Sequence, residues 1–183
     1  MPKIEWDERS MKYALCFFPL IGCVIGGIIY FIGNLLLQIK IGNILFASIM
    51  SIIPLAITGG IHFDGFLDTL DAINSYADKK KRLEILKDPN AGAFAVIGGL
   101  IYFTLSIGFW SEVHENMLLN ISFYYILSRA FSGLSVVTFP FAKNNGLAVT
   151  FGKNADKIKV RVVMIIFIIV STAFSLYINL IGG

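Results

Sequence analysis

The sequence predicts an all-α integral membrane protein: a polytopic helical bundle of about five transmembrane helices plus an acidic helix on the cytoplasmic side. Three observations predict it. Of the 183 residues, 56% are hydrophobic and only 15% are charged, whereas soluble domains carry about 25% charged residues. Apolar runs recur at the length that a hydrocarbon core demands, about 20 residues of helix. Lysines and arginines fall in alternate links between those runs, as membrane insertion requires. Mean hydropathy is +0.76. The net charge of +3 is small, so its placement matters more than its size. Residues 1–183 read as a single transmembrane domain. No Walker motif, Rossmann fingerprint or G-x-S-x-G is present, and nothing points to nucleic-acid binding. No secretory signal is evident, because the first apolar run is too long and lacks a small-residue cleavage site.

Residues 1–12 are polar, with Trp6 placed to anchor at the interface. Residues 13–37 form the first span. Pro19 sits early in it, where a proline kinks a helix. Gly22, Gly26 and Gly27 include a G-x-x-x-G pair that permits close helix packing. Cys16 and Cys23, seven residues apart in the same run, read as membrane-buried packing residues rather than a disulfide. A short connection leads to a second span over 44–57, with Pro54 near its end. This span is too short for a full crossing unless residues 59–66 continue it. Thr58, Gly59 and Gly60 read as a break at the membrane surface.

Residues 78–90 form the main soluble loop, made basic by Lys79, Lys80, Lys81, Arg82 and Lys87. A third span covers 91–110, and an acidic link with Glu112, Glu115 and a solvated His114 follows. The fourth span, 117–139, contains Arg129 next to Ser128. An arginine inside a span is expensive and faces a bundle interior or a wet cavity. It is a functional candidate, with structural pairing to an aspartate as the alternative. Residues 140–159 form a second basic loop with turns at Gly146 and Gly152, and Asn154 or Asp156 is placed to cap the next helix. Residues 160–181 form the fifth span.

Loop charges set the expected orientation. Lys3, Arg9 and Lys12, the five cations of 79–87, and Lys143, Lys153, Lys157, Lys159 and Arg161 fall on one side; the opposite links hold only Lys40. The positive-inside rule puts the N-terminus and both basic loops in the cytoplasm.

The most unusual stretch is GGIHFDGFLDTLD, residues 59–71. On a helix turning about 100° per residue, Asp64, Asp68 and Asp71 share one face. Three carboxylates there repel one another, and a divalent cation relieves the repulsion. Hard oxygen ligands suit magnesium, which commonly uses one or two carboxylates plus substrate phosphates. Gly65 leaves room for a close approach. Any lone pair of these acids also fits a solvated helix face. The basic loop that follows would attract a polyphosphate.

The stretch TGGIHFDGFLDTLDA resembles the signature of the cobalamin synthase family, the adenosylcobinamide-GDP ribazoletransferases of bacterial and archaeal inner membranes. FPLIGCVIGG, RLEILKDPNAGAFAVIGG, LSRAFSG and NNGLAVTFGK resemble further family blocks in the same order, so the likeness covers nearly the whole chain. The histidine–aspartate block is specific, whereas the others alone are weak. The resemblance implies a multi-pass enzyme of the cell membrane. In that family a ribose hydroxyl of α-ribazole, or of its 5′-phosphate, attacks the cobinamide phosphate of adenosylcobinamide-GDP. GMP leaves in a magnesium-dependent reaction, with manganese as an alternative ion. On this chain it implies Asp64, Asp68 and Asp71 at the metal. His62 would either orient a carboxylate or take the hydroxyl proton. Lys87, Asp88, Asn90, Ser128 and Arg129 are the implied substrate-binding residues, gripping phosphate or positioning the carboxylates.

Two departures from the family pattern stand out. The family block of aspartate, small hydroxyl residue, arginine, any residue and glycine reads here Asp88, Pro89, Asn90, Ala91, Gly92, without the arginine. Family members also continue for roughly 60 to 70 residues, on the order of two more spans, through an acidic, glycine-rich block. The chain is therefore read as a naturally short form, as truncated, or as completed by another chain; the glycine-rich faces also permit a homo-oligomer. Two other readings are a CDP-alcohol-type membrane phosphotransferase, whose D-G-x-x-A-R pattern is absent here, and a small cation-binding transporter, which would place acids mid-span.

Overall fold

The computed structural model describes residues 8–141 and 146–182, and every regular element among them is helical. Trp6, Lys3 and Lys143 lie outside the described residues. Helix α1 (Glu8–Ala14) runs through a 3-10 turn (Leu15–Phe17) into α2 (Phe18–Gln38). The turn sits where Pro19 predicts a disturbance. Proline has no N–H to offer the Leu15 oxygen, and the Phe18 N–H takes it instead, one residue tighter.

Helices α3 (Asn43–Thr58) and α4 (Ile61–Asn74) meet at a 98° bend. Gly59 and Gly60 make it, with φ of 62° and 74°. Side chains rarely adopt that left-handed region, so the paired glycines are what lets the chain turn. The Gly60 N–H closes the end of α3 on the Leu55 oxygen at 2.9 Å. Helix α5 (Lys79–Ile85) lies inside the segment expected to be loop. Asp78 caps it by accepting the Lys81 N–H at 2.8 Å, which satisfies an otherwise orphaned donor. The remaining helices are α6 (Ala93–Ser111), α7 (Glu115–Thr138), α8 (Leu147–Asn154) and α9 (Lys157–Gly182).

Three helical stretches are long and apolar enough to cross a membrane: Met11–Gln38, Ala93–Ser111 and Lys157–Leu180. A fourth crossing results if α3 and α4 count as one broken span. The fourth span expected from the sequence, α7, has 24 residues but is not among them. Asn116, Asn120, Ser128, Arg129 and Ser132 dilute its apolar content. The chain is a multi-pass helical membrane protein with fewer strongly apolar crossings than the five expected.

The chain divides into two compact units, residues 31–115 and residues 1–30 with 116–183. In the first, α6 packs against both α3 and α4. Phe46 meets Trp110 edge-on at 6.3 Å, and the Ser106 hydroxyl donates to Ser51 at 3.0 Å. Further back along α6, the Phe63 ring meets Tyr102 at a tilt with centroids 4.8 Å apart, and Leu70 fills the space beside Gly98. Contacts therefore run in opposite sequence order: the second half of α6 covers α3, and its first half covers α4.

In the other unit, Leu15, Ala130, Val137, Val160 and Met164 form a buried core. Asn120 donates its amide to Asn179, and Ser175 donates to Asn120 at 3.3 Å, joining α7 to α9. Asp156 caps α9 through the Lys159 N–H at 3.2 Å, as expected. Asn154 does not cap it, because its amide donates back to the Thr150 oxygen at 2.9 Å. Gly146 precedes α8 with φ of 110°, but Gly152 lies inside α8 rather than in a turn. Gly152 is held there by Phe141, whose ring tip would be 2.5 Å from an added Cβ.

The G-x-x-x-G pair acts within the chain. A Cβ on Gly22 would lie 2.5 Å from the Tyr125 carbonyl oxygen, and one on Gly26 would lie 2.4 Å from that of Ser122. Helices α2 and α7 thus cross backbone to backbone. Gly27 meets nothing within 4 Å. Gly26→Ala should therefore destabilise the detergent-solubilised protein by roughly 1–3 kcal/mol through overpacking. Gly27→Ala should stay within about 0.5 kcal/mol. Thermal unfolding of the two variants side by side checks this, and equal stability would contradict the crossing.

Candidate functional site

The acidic stretch does form a helix, α4, and the bend at Gly59 and Gly60 fixes where it starts. Asp64 falls in its first turn, its N–H donating to the Gly60 oxygen at 2.8 Å. A carboxylate there is favoured by the partial positive charge of the helix start. His62 and Asp64 are exposed and Asp68 is half-buried. An added Cβ on Gly65 would meet nothing within 4 Å, so the approach beside Asp64 is open. Phe63 anchors this turn on α6, with Phe103 at 5.4 Å in addition to Tyr102.

Asp71 is placed differently. It sits in the last turn of α4, only 8% exposed. One carboxylate oxygen accepts the Gly92 N–H at 2.6 Å, and the other accepts the Ala95 N–H at 2.9 Å. These donors belong to the start of α6, where the first N–H groups of a helix have no partner of their own. The carboxylate supplies the cap that Gly92, without a side chain, cannot. An added Cβ on Gly92 would lie 2.7 Å from Asp71 Oδ1 and 2.8 Å from Oδ2.

The expected ligand set was Asp64, Asp68 and Asp71. Asp71 accepts one N–H from the start of α6 on each oxygen, and each oxygen keeps a further lone pair. Among the described residues, no group of three or more His, Cys, Asp or Glu side chains stands close enough together to hold a metal ion. Asp64 and Asp68 lie four residues apart on α4.

Lys87, Asp88 and Asn90 lie in the exposed turn between α5 and α6. Asp88 accepts both the backbone N–H and the side-chain amide of Asn90, each at 2.9 Å. The pair thus folds its own turn. Ser128 and Arg129 belong to the other compact unit. Ser128 is exposed, whereas Arg129 is 9% exposed with its guanidinium carbon 5.9 Å from the Phe18 ring centre. Its Nε has no hydrogen-bond partner among the described residues. Sequence reasoning missed Gly92 and Ala95 as the partners of Asp71. The available signal was a glycine immediately before an apolar helix that has no capping side chain of its own.

The backbone and side-chain hydrogen bonds from Asn90 hold the Asp88 carboxyl below its ordinary value of 3.8. A lowered folded value means that the turn is favoured in full above the ordinary range. That contribution is lost as pH falls through the lowered value. The backbone amide resonance of Asn90 should accordingly titrate with a midpoint below 3.8; a midpoint at or above it would contradict the turn.

The chain matches the family model CobS, cobalamin-5-phosphate synthase, over residues 1–182. It is 49% identical over 174 residues to an adenosylcobinamide-GDP ribazoletransferase of Lachnoclostridium phytofermentans, covering 93% of this chain and 66% of that protein. A protein of the same name from Clostridium perfringens (strain 13) is 32% identical over 182 residues, covering 97% of this chain and 72% of the relative. One from Clostridium botulinum (strain Eklund 17B) is 35% identical over 189 residues, covering 100% and 73%. This chain thus spans about two thirds to three quarters of the length of these relatives. No solved structure matches it. The family match is set aside neither by the missing arginine after Asp88 nor by the altered count of crossings: this chain belongs to the cobalamin-5-phosphate synthase family.

Proposed function

We propose that this chain carries the ribazole-transfer step named for its relatives. It would join α-ribazole, or its 5′-phosphate, to adenosylcobinamide-GDP, giving adenosylcobalamin, or its 5′-phosphate, and GMP. A ribose oxygen forms a bond to the cobinamide phosphorus, the phosphorus–oxygen bond to GMP breaks, and the hydroxyl proton leaves with a base. One observation carries the reading. The acid-bearing helix α4 and the cationic segment Lys79–Lys87 are tied together at the Asp71–Gly92 contact. A diphosphate held by carboxylate-bound metal on one side and ammonium groups on the other needs that combination.

Asp64 and Asp68 are the residues that would hold magnesium, or manganese in its place. The bound ion would neutralise charge on the diphosphate and the leaving GMP. His62, exposed on the first turn of α4, orients a carboxylate or accepts the hydroxyl proton. Lys87, on the exposed turn, reaches for phosphate, while Asp88 and Asn90 shape that turn. Ser128 and Arg129, in their own compact unit, are proposed to grip phosphate. A buried guanidinium nitrogen lacking a partner is an expensive arrangement that an anionic ligand would relieve. The site faces the cytoplasm in this reading. The charge of the loops supports it, since Lys79–Lys87 adjoins α4 and the opposite link carries only Lys40.

Purified chain in detergent, supplied with adenosylcobinamide-GDP, α-ribazole and magnesium, should release GMP. Asp64→Asn should lower turnover by more than about a hundredfold without altering the helical circular-dichroism spectrum. No GMP from the unsubstituted chain, with manganese also tried, would overturn the assignment. Full turnover by Asp64→Asn would remove Asp64 from the site.

A further inference from the structure

We infer that Asp71 is a positioning residue rather than a metal ligand. With Gly92 it forms a latch that closes the base of the cationic loop and so sets where Lys87 stands relative to the acidic face of α4. The proposal deepens the reading given above for this site and rests on it.

The two latch residues are 21 positions apart in sequence, and the whole basic segment lies between them. Asp71 ends the acidic helix, and Gly92 immediately precedes α6. Joining them turns the excursion from Ser75 to Ala91 into a closed loop with a fixed base. Leu70 reinforces the joint from the neighbouring position, its side chain occupying the space where Gly98 would carry a Cβ. The base is thus held by polar and apolar contacts from adjacent residues of one helical turn. The approach of Asp71 leaves no room for a side chain on Gly92, because a Cβ would fall inside contact distance of the whole carboxylate. Each oxygen of Asp71 already accepts an N–H from a helix start. Drawing the carboxylate away from Gly92 and Ala95 would strip the cap from α6.

The role has a signature different from that of a ligand. Loss of the latch should loosen the loop while leaving intrinsic cation binding unchanged. Asp71→Asn keeps the size of the side chain but replaces one acceptor with a donor. Gly92→Ala attacks the same joint and leaves every carboxylate in place. Manganese binding by each full-length variant in detergent, followed by electron paramagnetic resonance of the free ion, gives one readout. Hydrogen exchange of the peptide spanning 88–95 gives the second, and steady-state kinetics gives the third.

Both variants should keep the manganese affinity of the unsubstituted chain, whereas Asp64→Asn should weaken it at least about tenfold. Both should speed exchange over 88–95 by about tenfold, the loss expected for one charge-assisted hydrogen bond. Both should raise KM for the diphosphate substrate more than they lower kcat. Loss of manganese binding in Asp71→Asn but not in Gly92→Ala would overturn the proposal, as would unchanged exchange over 88–95 in Asp71→Asn. Should Asp71→Asn not fold, Gly92→Ala carries the same three readings. If the unsubstituted chain neither binds manganese nor releases GMP, the reaction assignment fails, while the exchange measurement still decides the latch.

Discussion

Backbone N–H groups at the start of an apolar helix have nowhere to go unless a side chain comes to them. Beside a membrane this constraint is severe, because lipid offers no substitute for water. Helix α6 begins with Gly92 and continues with apolar residues, so it has no cap of its own. Its first donors are met by Asp71, brought from the far end of α4. A hydrogen bond to an ionised group contributes about 1.5–3 kcal/mol, and leaving its partner unmet in a buried place costs a similar amount. That single carboxylate therefore fixes how α4 lies along α6, and with it the direction in which His62, Asp64 and Asp68 are presented.

Close backbone approach is the second constraint. In one unit, α2 and α7 touch through Gly22 and Gly26; in the other, Gly98 receives Leu70. Small residues let helices associate where lipid and side chains are equally apolar. Serines add a few directional bonds, as between Ser51 and Ser106. The aromatic group of Phe63, Phe66, Tyr102 and Phe103 then fills the remaining contact between α4 and α6. Shape and a handful of polar contacts thus hold much of each unit. Two salt bridges, Lys81–Glu84 and Lys159–Asp156, join residues three apart in sequence at the surface.

Much of this was legible in the sequence, for identifiable reasons. Spans were readable because apolar runs of helical length are rare outside membranes. The break at Gly59 and Gly60 was readable because consecutive glycines after an apolar run have few other uses. The acidic helix was readable from the 64, 68, 71 spacing. Two short helices, α5 and α8, were not, since their first residues are polar or glycine-bounded and carry no apolar stripe of useful length. Helix α7 is less apolar than the other long helices because its polar residues are scattered along it rather than gathered at one end. Periodicity places residues on a face, but it says nothing about which neighbour that face meets. That is why the stripe could be inferred from the spacing while the contact of Asp71 with the start of α6 could not.

The same limit explains how one stripe can serve two purposes. Asp64 lies in the first turn of α4 and Asp71 in the last, about 10 Å apart along an axis that rises about 1.5 Å per residue. Once Asp71 is drawn to the α6 donors, the repulsion along the stripe is relieved without any ion at that end. The charge that remains is concentrated at Asp64 and Asp68, beside the open backbone of Gly65. The helix start that captures Asp71 therefore divides the stripe and leaves Asp64 and Asp68 towards the open end of this helix.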